Sequence, residues 1–331
     1  WSSTIVLALG IPQVITNLIS VICNSAVIIA FIASSKALHK PIFILFCNLA
    51  VSDLLASSSA LWIALLFIEK PDSTIYGSKE LLHAYVFFAT SILSTIYNLV
   101  SIGIERFLAV APCTMMKYKI SQCQTLTAAL ISWGIAIIFG SLPLLGWNCL
   151  HKSELASTLY SPFCIDYLVF ITIPNCVVAF VLLLCTYIAI IVILKRQKAI
   201  IQASGHTLTV YKMAELHVAR TSIFIWILTV ISYAPFFAGV LWDAIHVNCP
   251  LDLHIGVYVF RNVTATLITL NCLGNPIIYS LKFKNLENTL NFFCQEKSEI
   301  LPPPNKDKSQ SYSKLRICIC AAVKTRKYAI I

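Results

Sequence analysis

The chain has 331 residues, of which 58% are hydrophobic and only 11% charged, with a formal charge of +10 at pH 7. Soluble proteins carry about 25% charged residues, so this composition sets a soluble fold aside. No stretch between the apolar runs is long enough to bury a core of its own, which sets aside an attached catalytic domain.

An apolar helix needs about 20 residues to cross a bilayer. Seven stretches qualify, expected at 6–32, 41–67, 81–111, 125–146, 166–194, 217–245 and 252–280. Backbone polar groups in lipid must be satisfied within each span, and the alternation of a membrane barrel is absent, so the spans are helices. The expected fold is an all-α membrane protein, a seven-transmembrane helix bundle. Span 1 is too long for a cleaved signal and is expected to stay in the membrane. Lys36, Lys40, Lys117, Lys119, Lys195, Arg196 and Lys198 fall on one side of the bundle. Glu69, Asp72, Glu80, Glu154 and Asp252 fall on the other. Short basic loops face the cytoplasm. The N-terminus is therefore expected outside and the C-terminus inside a multi-pass plasma-membrane protein. Anionic inner-leaflet lipid then accounts for the charge, and nucleic acid is not an expected partner.

In chain order, the first chemistry lies in span 2. Asp53 stands in Asn48-Leu-Ala-Val-Ser-Asp53, well inside the membrane. Ionisable groups at that depth are costly and usually functional. Asn24, Ser94, Thr95, Asn271 and Asn275 are its expected polar neighbours. Two readings stay open, a polar packing knot or a centre for a small cation such as sodium. At the inner end of span 3 stands Glu105-Arg106-Phe107. A guanidinium cannot shed its proton there, so it needs a counter-charge. Glu105 is the sequence neighbour, and Glu215 before span 6 is the second choice, which would tie spans 3 and 6 together. Cys149 and Cys164 share the external loop between spans 4 and 5, where an oxidising exterior favours a bridge; Cys249 has no evident mate. Pro235 removes a backbone donor from span 6 and should kink it. Span 7 ends in Asn275-Pro276-Ile277-Ile278-Tyr279. Beyond it, Leu286, Leu290 and Phe293 share one face, as an amphipathic interfacial helix requires. Cys294 closes that helix and is an expected palmitoylation site, with a free thiol as the alternative. The expected division is a seven-span bundle with its amphipathic helix at 1–294 and a disordered cytoplasmic tail at 295–331. Asn262-Val263-Thr264 has glycosylation spacing but falls in span 7 and is rejected.

These residues together resemble the rhodopsin-like (class A) G-protein-coupled receptors, from span 1 to the segment after span 7. Asn24, the Asn48-to-Asp53 run, Glu105-Arg106-Phe107, Trp133, Tyr187 and Asn275-Pro276-Ile277-Ile278-Tyr279 each match a family motif in its proper span. Beyond conservative changes on both flanks of Arg106, the chain departs from the family at three further places. Leu81 replaces the usual cysteine opening span 3, Ala179 replaces the span-5 proline, and Ser232-Tyr233-Ala234-Pro235 puts a tyrosine where a tryptophan is usual. The run Pro143-Leu144-Leu145-Gly146-Trp147-Asn148-Cys149 looks like the lysophospholipid, cannabinoid and related orphan receptors, which carry a disulfide within the second external loop. The resemblance implies a Cys149–Cys164 bridge, although the second cysteine comes later here than in that group. It also implies a sodium site at Asn24, Asp53, Thr95, Asn271 and Asn275. The switch would comprise Glu105, Arg106, Tyr187, Glu215, Pro235, Asn275, Pro276 and Tyr279. The implied partners are a heterotrimeric G protein, a receptor kinase, arrestin and an extracellular ligand; enzymatic activity is not implied.

Phe88 occupies the amine-receptor aspartate position, which argues against a monoamine. Tyr85 stands where lysophospholipid receptors read a headgroup, and Ala84 replaces their neighbouring arginine. The expected ligand is a lipid or other amphipathic molecule, contacted by Tyr85, Phe88, Tyr233, Phe237, Trp242, Tyr258 and Arg261. Alternatively, Arg261 pairs with Asp252 or Glu80. At the level of function, the alternatives are a constitutively active orphan receptor or a non-signalling decoy.

Overall fold

The computed structural model describes residues 2–33, 41–110, 120–150, 156–157, 159–203, 210–245, 256–257 and 259–278. The helices are α1 (Ser3–Ala33), α2 (Pro41–Glu69), α3 (Pro71–Tyr76), α4 (Lys79–Val110), α5 (Gln122–Ser141), α6 (Ile165–Tyr167), α7 (Ile173–Ala203) and α8 (Val210–Ile245). The last run, 259–278, is also helical and is called α9. Six described stretches are long and apolar enough to cross a membrane, and α9 takes the place of the seventh. Together they form the expected all-α bundle. The amphipathic segment and tail expected after Tyr279 lie outside the described residues.

In α1 the usual amphipathic logic is inverted. Its buried positions are Val6, Gly10, Gln13, Asn17, Ser20 and Asn24, three or four apart and so on one helix face. Ile11, Ile15, Leu18 and Ile22 are exposed, as a lipid-facing surface demands. The polar stripe can only bury itself by packing on other helices, chiefly α2. The central helix is α4, which packs on α2, α5, α7 and α8. Its approach to α5 depends on Gly140. A Cβ there would fall 2.1 Å from Thr90 Oγ1 and 2.9 Å from Thr90 Cα. Trp133 ties α5 to α2 by donating to Asn48 Oδ1 at 2.9 Å.

Helix ends depart from the expected spans for local reasons. Ser121 and Gln124 form a reciprocal capping box that starts α5. Its far end comes at Ser141 and not at 146. Residues there close tighter turns, with Leu144 N on Ser141 O and Leu145 N on Leu142 O, and Gly146 takes a positive φ of 111°. At the inner side, α7 runs to Ala203 and α8 starts at Val210. The expected third inner loop, 195–216, is therefore mostly helix. Lys, Arg and Gln are good helix formers, so hydrogen bonding continues past the apolar run. A π-helical turn, Leu168–Thr172, opens the fifth span just before Pro174.

Candidate functional site: an outer chamber, a polar core and an inner switch

The outer chamber lies between α1, α2, α4, the π turn and start of α7, α8 and α9, under a roof made by the second external loop. The roof is built locally. Cys149 and Cys164 are disulfide-bonded, Cys149 N donates to Pro162 O at 2.9 Å and Ser157 N to Phe163 O at 2.8 Å. Leu159, Tyr160 and Phe163 are all buried. Tyr160 stacks on Phe236 at 4.9 Å, and its hydroxyl sits 3.3 Å from that of Thr264. Burial pushes the Tyr160 phenol above its ordinary pKa, while the contact with Thr264 pulls it down, so it stays protonated. Phe163 meets Tyr85 at 5.5 Å and Tyr167 at 5.2 Å. From α8, Asp243 fastens the roof: its Oδ2 accepts from Ser157 Oγ at 2.6 Å and Leu159 N at 3.3 Å. Gly77, with φ at 83°, lies against Pro162 and Ser161.

Of the expected ligand contacts, Tyr85, Phe88, Tyr233 and Arg261 line the chamber. Two others do not. Phe237 packs against Phe180, Tyr233 and Phe236 beside it. Trp242 is 47% exposed, because nine residues beyond Tyr233 a helix has turned to about 180° away. Tyr258 lies outside the described residues. Arg261 is buried, and its guanidinium donates to Thr74 O at 2.8 Å and Thr74 Oγ1 at 3.3 Å. The rim acid Glu80 instead pairs with Lys70 at 3.7 Å. Asn262 is buried in α9 and accepts from Gln13 Nε2 at 2.6 Å, which agrees with rejecting it as a glycan acceptor.

Below the chamber is the polar core. Asp53 is fully buried; Asn275 Nδ2 donates to its Oδ2 at 2.7 Å and Thr95 Oγ1 to its Oδ1 at 3.2 Å. The other expected neighbours bond elsewhere. Asn24 Nδ2 donates to Ser20 O and Cys272 O, and Asn271 Oδ1 accepts from Thr229 Oγ1. Ser94 is the exception: its Oγ, like Asn275 Oδ1, is buried without a hydrogen-bond partner among the described residues. A carboxylate bonded to Asn275, whose own Oδ1 is spare among the described residues, is a chemically suitable start to a donor set for a small hard cation.

At the inner end, Arg106 Nε and Nη2 donate to the two carboxylate oxygens of Glu105, and both side chains are buried. The side chain of Glu215 is outside the described residues, as is Tyr279. Tyr187 is buried against Trp226, ring centroids 5.8 Å apart, and its hydroxyl has no hydrogen-bond partner among the described residues. Pro235 lies within α8.

Sequence reasoning missed Asp243, Asn17 and the buried loop residues Tyr160 and Phe163. Asn17 could have been found, since it lies on the 3–4 spacing that leads to Asn24.

Comparison with known proteins agrees with this architecture. The family model described as 7 transmembrane receptor (rhodopsin family) matches residues 23–279. Lysophosphatidic acid receptor 3 of Rattus norvegicus is 27% identical over 267 residues, covering 81% of this chain and 73% of that protein. Lysophosphatidic acid receptor 1 of Homo sapiens is 25% identical over 334 residues, covering 100% and 88%. The crystal structure of squid rhodopsin superposes with a TM-score of 0.69 at 16% identity, covering 96% of this chain and 88% of that one, a likeness of fold. On the family match, which spans most of the bundle, the chain belongs to the rhodopsin family of seven-transmembrane receptors, the class A G-protein-coupled receptors.

Proposed function

We propose that this receptor answers to an extracellular lipid-like amphiphile and transmits its binding to a heterotrimeric G protein. The observation that carries the ligand class is the two-sided chamber. Gln13, Asn17, Arg261, Asn262 and Thr264 form a polar wall, and Tyr85, Phe88, Phe163, Tyr233 and Phe236 an aromatic one. A molecule with a polar head and an apolar body fits such a lining. The likeness to receptors named for lysophosphatidic acid supports the same class.

The open space is about 70 Å³, against about 300–1,000 Å³ in typical ligand pockets. A lipid must therefore displace the aromatic side chains or lift the roof. That requirement makes binding selective for a second arrangement of helices, and by linkage a G protein inside binds that arrangement more tightly. In it, Arg106 leaves its acid and turns toward Tyr187 and Tyr279 as α8 swings about Pro235. Asn24, Asp53, Thr95, Asn271 and Asn275 would hold a sodium ion that favours the resting arrangement. A receptor kinase and arrestin would act on the tail, and Cys294 would carry an acyl chain.

One observation favours a second reading, ligand-independent signalling: the receptor's own Tyr160 and Phe163 already line the chamber. A nucleotide-exchange assay in membranes tests both readings, with a lysophospholipid panel, each G-protein class and a lipid-free control. The expected result is lipid-stimulated exchange on at least one class, lost in Arg106→Ala. High exchange without lipid that no lipid raises would establish the second reading. No exchange on any class would sink the signalling claim.

A further inference from the structure

In the polar stripe of α1, Asn24 leaves Oδ1 unpaired but still donates, whereas Asn17 is bonded at neither end of its carboxamide among the described residues. Gln13 donates to Asn262, Ser20 shares a hydrogen bond with Ser57 at 2.7 Å, and Asn24 donates to Ser20 O at 3.0 Å and Cys272 O at 3.2 Å. Asn17, midway along this stripe, makes no hydrogen bond among the described residues, and its Oδ1 is buried without a partner. It is only 2% exposed, so it cannot reach water or lipid headgroups by extending outward.

A buried, unbonded polar group costs about 1–3 kcal/mol. Other inward asparagines at least anchor the donor end on a backbone carbonyl, even where, as in Asn98, Oδ1 stays unpaired among the described residues. Asn98 uses Leu45 O at 2.9 Å and Asn175 uses Ile171 O at 2.7 Å. Asn17 does neither, and it lines the chamber. An apolar residue there would satisfy the packing at lower cost, so packing alone does not account for an amide at this position.

The geometry points to Asn17 as a ligand-reading residue whose carboxamide pairs with a hydroxyl or amide on the bound amphiphile. A carboxamide presents both donors and an acceptor, which matches those two groups and discriminates against an ether or a bare chain. Gln13, Asn262 and Thr264 complete the wall along which the polar section of the ligand lies, with its hydrocarbon section against Tyr85, Phe88 and Phe236. This inference rests on the amphiphile reading above and sharpens it to a molecule with a free hydroxyl or amide near its headgroup.

The test uses the full chain, purified in detergent, and two probes: 1-oleoylglycerol 3-phosphate, which has a free hydroxyl, and its 2-deoxy analogue. The wild-type chain is expected to prefer the hydroxyl probe about tenfold, the worth of one buried hydrogen bond. Asn17→Leu and Asn17→Ala, the latter adding no bulk, are expected to bind both probes alike. Without probe, the Tm of Asn17→Leu is expected to stay level or rise, because an unsatisfied amide is gone. A preference that survives in both variants overturns the proposal, as does a clear fall in the Tm of Asn17→Leu, which would mark the amide as structural. If neither probe binds the wild-type chain, the amphiphile reading fails and the proposal with it; equal binding of both probes by the wild-type chain overturns the proposal and leaves that reading standing.

Discussion

Gly140 and Asp53 show how single side chains decide what this bundle tolerates. With Thr90 Cα only 2.9 Å from where a Cβ would stand, Gly140→Ala forces α4 and α5 apart. Overpacking of this kind costs about 1–3 kcal/mol. Thermal unfolding in detergent should show the drop, while Gly134→Ala, with nothing within 4 Å of its Cβ, should leave Tm level or slightly raised, since Ala is the better helix former. Asp53 carries the second residue-scale expectation. A bound ion stabilises the state that holds it, so replacing choline chloride with sodium chloride at constant ionic strength should raise the Tm of the wild-type chain. Asp53→Asn should abolish that difference, and an equal rise in the variant would reject the sodium assignment. Both Asp53 and Arg106 were legible in the sequence because a charge among apolar residues is conspicuous. Asp243 was not. It stands at the outer end of a span, where a carboxylate ordinarily meets water, and only the fold reveals that Ser157 and Leu159 cover it.

Among the elements, the long helices and the loop were unequally readable. Helix positions followed from apolar length, and the inward face of α8 follows from its period. Tyr233 and Phe236 face the chamber while Trp242 faces away. The second external loop has no period, so its sequence could not announce that Leu159, Tyr160 and Phe163 point into the bundle. The latch between this loop and α8 yields an expectation of its own. Asp243→Ala leaves Ser157 Oγ and Leu159 N without this acceptor, and hydrogen bonds to charged groups are worth about 1.5–3 kcal/mol. Amide hydrogen exchange at residues 157–163 should quicken by at least tenfold, while α4 and α5 keep their protection. Unchanged exchange in the loop would show that the latch is redundant.

For the molecule as a whole, a stripe of amides and hydroxyls faces inward and isoleucines face outward on α1, which is the arrangement lipid imposes on a bundle. Basic loops then fix its orientation. An epitope tag placed before Trp1 should be reached by antibody on intact cells, and one after Ile331 only after permeabilisation; equal access on intact cells would invalidate the topology. The bundle was readable from composition because spanning a bilayer leaves few other solutions. The chamber's shape was not, since it arises where six helices and a loop converge, and no single stretch of chain encodes that convergence.

The bridge between Cys149 and Cys164 begins and ends in the same loop, and Leu81 offers no sulfur with which to sew that loop to the third span. Among the described residues the roof is therefore a stopper, braced by its own bridge and seated by contacts that can be remade. Such a piece can lift whole and drop back without losing its form. How long a captured guest stays is then set by how often the stopper rises, and weakening its seat should shorten residence more than it slows arrival.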